Sequence, residues 1–123
     1  MSETGACAAA PKLIFACSGA ADVGAVADQA ARKLTRDGAG RMFCLAGVGG
    51  RVPAIMAATA KADRILAIDG CPLNCVKNSL NLAGFGTYEH LQLADLGMAK
   101  GQTPPTPEAV AKAAEAAAAK LAG

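Results

Sequence analysis

At 123 residues the chain has the size of one ordinary domain, long enough to bury a core without disulfide staples. A formal net charge of +2, with one tyrosine, three phenylalanines and no tryptophan, excludes a nucleic-acid footprint of basic residues interleaved with stacking aromatics. No apolar run reaches the length of a membrane span, and Met1–Ala10 has neither the basic start nor the apolar centre of a signal peptide; this predicts a cytosolic location, where thiols stay reduced.

In chain order, residues 1–10 read as a flexible tail and 11–123 as a single α/β domain. Lys12–Ala16 is a short apolar run of the kind found in a strand covered on both faces. A turn at Cys17–Ala21 follows, and Asp22 is placed to cap a helix with Val23, Val26, Ala27, Ala30, Ala31 and Leu34 at helical spacing, stopped by Gly38. Arg41–Ala46 reads as the second strand and Gly47–Gly50 as its exit loop. Pro53 suits the first turn of a helix continued by Ile55, Met56 and Thr59. Arg64–Ile68 is the third strand, and Asp69–Pro72 turns into a helix with Leu73, Val76, Leu80 and Ala83 on one side, ended by Gly84. Tyr88–Ala94 alternates as a fourth strand at an edge. After a loop over residues 97–105, Thr106 caps a last helix with Pro107 at its first position and a stripe of Val110, Ala113, Ala114, Ala117 and Leu121.

Strands alternating with helices predict a three-layer α/β sandwich around a mostly parallel four-stranded sheet, Rossmann- or flavodoxin-like, with strand order 2-1-3-4. In a parallel sheet the C-terminal ends of all strands lie at one edge, where such folds place their sites. Cys17 follows the first strand, Cys44 lies near the end of the second, Cys71 just past the third, and Cys75 one helical turn beyond it. Four thiolates at one edge are the donor set of a closed tetrahedral zinc site. Amides of the turn at Ser18 and Gly19 are placed to donate to sulfur. A free cysteine is also a small buried hydrophobe, a reading that competes most strongly at Cys44, between Phe43 and Leu45. Cys7 belongs to the tail and is not expected to be a ligand.

Cys17-Ser-Gly, the single Cys44 ahead of Gly47-Val-Gly-Gly50, and Ile68-Asp-Gly-Cys-Pro-Leu-Asn-Cys75 together resemble the DGC-domain family, named for the Asp-Gly-Cys triplet that stands here at Asp69–Cys71. The resemblance runs from Lys12 to about Lys100. It implies zinc held by Cys17, Cys44, Cys71 and Cys75.

Other features carry less. Gly47–Arg51 sits between strand and helix like an anion-binding loop but lacks the Lys-Ser/Thr of a P-loop, so its glycines read as room for close backbone approach. Asp69 reads as a helix cap, or as support for the cysteines. Lys77 and Arg51 are candidates to offset thiolate charge. His90, the single histidine, reads as a sheet residue rather than a ligand. No catalytic triad can be assembled, which argues against an enzyme. The functional expectation is therefore a metal-binding protein with one zinc in a structural, storage or sensing role. The alternative is a redox or sulfur-handling protein using the same cysteines for an iron–sulfur cluster or as reactive thiols.

Overall fold

Two apolar runs with buried residues on both faces form the centre of the sheet, β1 (Lys12–Ala16) and β3 (Arg64–Asp69). The computed structural model describes residues 11–122, so the expected tail and Cys7 lie outside the described residues. The shorter strands β2 (Arg41–Met42) and β4 (Glu89–Gln92) flank the central pair in the order β2-β1-β3-β4, all parallel. This is the expected order, and its logic is burial: the strands with polar positions take the edges.

Side chains alternate strictly between the two faces of the sheet. Ile14, Ala16, Leu66, Ile68 and Leu91 point into one core, shared with α1 (Asp22–Arg36) and α5 (Pro107–Ala122). Leu13, Phe15, Ile65 and Ala67 point into the other, covered by α4 (Cys75–Leu82) together with Val48 of α2 (Leu45–Gly49). A further helix, α3 (Pro53–Ala60), packs on α2. The buried stripes of α1 and α5 include every residue predicted from helical spacing. Alanine-rich surfaces let these two helices approach each other and the sheet closely. Lys12 Nζ donates to Leu121 O at 3.1 Å and an Arg64 guanidinium nitrogen to Lys120 O at 3.0 Å, so two cations from the strand starts cap the last turn of α5. No helix among the described residues is long and apolar enough to cross a membrane.

The chain departs from expectation in four places. The second strand stops at Met42: Phe43 N still donates to Ile14 O at 2.8 Å, but Cys44 then becomes the N-cap of α2. The expected exit loop over Gly47–Gly50 is largely this helix, which an apolar run too short to show a period cannot reveal. Leu73 precedes α4 and is 67 % exposed instead of sharing the buried stripe of Val76 and Leu80. The fourth strand ends at Gln92, and Leu93–Leu96 forms a 3-10 turn.

Asp22 also differs in its role. It is the first residue of α1, and besides the Val23 amide at 2.8 Å its carboxylate accepts Gly101 N and Thr103 N, each at 2.9 Å. It thereby fastens the loop before α5 onto the start of α1. The bonds from Gly101 and then Thr103 hold its pKa below the ordinary value, outweighing the effect of burial. A depressed folded pKa means that this contribution is complete above the ordinary carboxylate value of about 3.9 and is lost as pH falls through the lower folded value. In an acid titration followed by amide resonances, Gly101 and Thr103 should hold their positions down to about pH 4 and move together below it. Asp22→Asn should abolish that coupled movement; movement of both amides between about pH 7 and 5 would contradict the assignment.

Candidate thiol site at the C-terminal edge of the sheet

Cys17 leaves β1 already tied to the neighbouring strand. Its amide donates to Ile68 O at 3.2 Å, and its sulfur accepts the Gly70 amide at 3.3 Å. The donor to this sulfur is thus the glycine of the Asp-Gly-Cys triplet rather than the expected turn at Ser18 and Gly19. Gly70 is required there by contact: a Cβ would lie 2.5 Å from the Val23 carbonyl oxygen and 2.9 Å from Gly24 N. The exit of β3 therefore runs against the backbone of the first turn of α1, and Cys71 follows directly, partly buried beside the α1–α5 core.

Asp69 is fully buried. Its carboxylate accepts Val76 N at 2.8 Å and Lys77 N at 3.2 Å, satisfying two amides at the start of α4 from the end of β3. Asn74, which precedes the helix in a left-handed conformation, makes no capping bond. The expected cap is present, but it acts across the Cys71–Asn74 turn and fixes where Cys75, the first residue of α4, begins. A third bond joins Asp69 to His90 Nε2 at 2.8 Å. His90 is the sheet residue anticipated; its partnership with Asp69 was not, although alternation along β4 puts His90 and Gln92 on the face opposite buried Leu91.

Among the described residues the four cysteines are free thiols, with Cys44 and Cys75 exposed and Cys17 and Cys71 partly buried. Burial, and then the negative charge of Cys71, Asp69 and Cys17, push the Cys75 thiol above its ordinary pKa, with Lys100 opposing. Cys44 is held differently: its sulfur caps α2 by accepting Gly47 N at 3.3 Å. Among the described residues no group of three or more His, Cys, Asp or Glu side chains stands ready to hold a metal ion, and the four cysteines are not positioned as a four-cysteine site. Of the anticipated counter-charges, Arg51 instead donates to Val48 O and Gly49 O at the end of α2, and the cation acting on Cys75 is Lys100.

Two of the three non-glycine residues with positive φ among those described adjoin the cysteines, Ser18 after Cys17 and Asn74 before Cys75; the third, Arg51, follows α2. Such conformations cost of order 1–3 kcal/mol each and persist where the surroundings over-determine them. A cavity of about 440 Å³ opens elsewhere, lined by Thr59, Arg64, Phe85 and Tyr88 among others, and includes none of the cysteines.

Residues 13–117 match the family profile described as DGC domain. The chain is 41% identical over 88 residues to the anaerobic and virulence modulator AnvM of Pseudomonas aeruginosa, an alignment covering 72% of this chain and 67% of that protein. No solved structure matches the chain.

The close approach at Gly70 generates a stability prediction. Gly70→Ala must displace backbone rather than a flexible side chain, so it should destabilise the fold by about 1–3 kcal/mol. The urea midpoint should fall with an unchanged slope. A variant as stable as the parent would contradict the packing of β3's exit on α1.

Proposed function

Because the chain belongs to the DGC-domain family, we propose that it binds one zinc ion through Cys17, Cys71, Cys75 and Cys44. The observation that carries this reading is the bond from Gly70 N to the Cys17 sulfur, which fastens the first cysteine to the loop bearing two others. The donor chemistry fits: thiolates are the preferred ligands of structural zinc. Burial, and then Cys71, Asp69 and Cys17, raise the pKa of the Cys75 thiol, an effect that a bound divalent cation would offset. Cys44 is the fourth ligand by topology. It stands at the start of α2, which packs on α4, whose first residue is Cys75. Its sulfur gives up the Gly47 amide to join the others.

When bound, the ion would supply a cross-link between segments distant in sequence. The protein's part is to hold Cys17 by the Gly70 amide and to set Cys75 through the Asp69 cap. The fully buried residues of both cores include no cysteine, and Cys17 and Cys71 only border them, so the metal-free chain remains folded and loosens at this edge. A relative named as an anaerobic and virulence modulator favours a sensing role over storage, and it is also the observation that favours an iron–sulfur cluster on the same thiols as a second reading.

Elemental analysis of protein purified without affinity-column metals tests both readings. One zinc per chain in a colourless protein is expected. Cys71→Ser or Cys75→Ser should remove most of it, and Cys7→Ser should keep it. Iron with visible absorbance would establish the cluster instead, and the absence of both metals would overturn metal binding. Chelation should lower the thermal midpoint and shift amide resonances of Cys17–Gly19 and Cys71–Cys75 without loss of the sheet.

A further inference from the structure

The turn that spaces Cys71 from Cys75 carries little packing of its own: Pro72 is exposed and Leu73 is 67 % exposed. Polar contacts hold it. Within the turn, Asn74 N donates to Cys71 O at 3.2 Å. From outside, Gln92 reaches in from the last position of β4, where it is the register partner of Asp69. Its Nε2 donates to Cys71 O at 2.9 Å and to Asn74 Oδ1 at 2.7 Å, while its Oε1 accepts Ala94 N at 3.2 Å. A backbone carbonyl only accepts and a backbone amide only donates, so Cys71 O and Ala94 N fix the orientation of the Gln92 amide without ambiguity.

We propose that Gln92 is a positioning residue of the thiol site. One side-chain amide joins the backbone of Cys71 to the residue that precedes Cys75, and so sets the separation and direction of the two thiols. The proposal deepens the metal-binding reading and rests on it for its ligand, the divalent zinc ion. Asn74 is the fitting partner. Its left-handed backbone, φ 54° and ψ 50°, reverses the chain into α4, and the bond to Gln92 holds it in a conformation that non-glycine residues otherwise avoid. Gln92 and Asp69 thus act as a pair at the end of the sheet, Asp69 fixing the helix start and Gln92 fixing the turn. Residues that orient metal ligands in this way typically change metal affinity 10–100-fold when replaced.

Gln92→Met keeps side-chain length and neutrality while removing both donated bonds. Two readouts separate positioning from general stability: zinc affinity by competition with a chromophoric chelator, and site-resolved alkylation rates of the metal-free protein by mass spectrometry. Gln92→Met should weaken zinc binding at least about tenfold. It should also change the alkylation rates of Cys71 and Cys75 several-fold and leave that of Cys44 unaltered. Tyr88→Phe is the control, since it removes the Tyr88–Asn81 hydrogen bond, which is remote from the turn, and should leave both readouts unmoved. If Gln92→Met does not fold, Asn74→Gly removes one of the two tethers while suiting the left-handed backbone, and it should shift the same readouts in the same direction. A thermal midpoint lowered with unchanged affinity and unchanged alkylation pattern would overturn the proposal. If the parent protein binds no zinc, the metal reading fails separately, and the alkylation pattern alone decides the role of Gln92.

Discussion

The buried carboxylate of Asp69 is the constraint on which the thiol edge depends. A carboxyl group removed from water is costly unless it is hydrogen-bonded, and Asp69 has three partners: two amides at the start of α4 and the His90 ring. These partners belong to two different parts of the site. The amides fix where α4 begins, and therefore where Cys75 stands. The histidine ties the edge strand β4 to β3, which brings Gln92 alongside the turn carrying Cys71. A single side chain from the central strand thus couples the helix, the edge strand and the loop between the thiols.

The other half of the edge is set by backbone approach. Gly70 lets the end of β3 lie against the first turn of α1, and its amide then points at Cys17. The Asp-Gly-Cys triplet is therefore one device with three parts: a carboxylate that starts a helix, a residue without a side chain that permits close packing and bonds the Cys17 sulfur, and a cysteine that follows it directly. The strained residues Ser18 and Asn74 stand beside Cys17 and Cys75, as expected where a site rather than the core dictates the backbone.

Most of the architecture was legible because it rests on local periodicity. The stripes of α1 and α5, the central strands, the strand order and the edge position of β4 follow from apolar spacing and from the rules of parallel sheets. That Cys17, Cys44 and Cys71 follow strands whose C-terminal ends share one edge of the sheet came from topology alone. What could not be read depends on partners far along the chain. Asp22 meets amides 79 and 81 residues away, and Asp69 meets a histidine 21 residues away, contacts for which no spacing rule exists. Cys44 marks the limit for the site. An apolar run around it resembled a strand, whereas its sulfur caps a short helix.

The central claim is that the thiols of this edge share one metal ion. X-ray absorption at the zinc edge of the protein as purified tests it most directly. A first shell made of sulfur alone, at about 2.3 Å, is the predicted result, with one sulfur replaced by a lighter atom in Cys44→Ser. A shell of nitrogen and oxygen only, or the same spectrum in Cys71→Ser as in the parent, would contradict it.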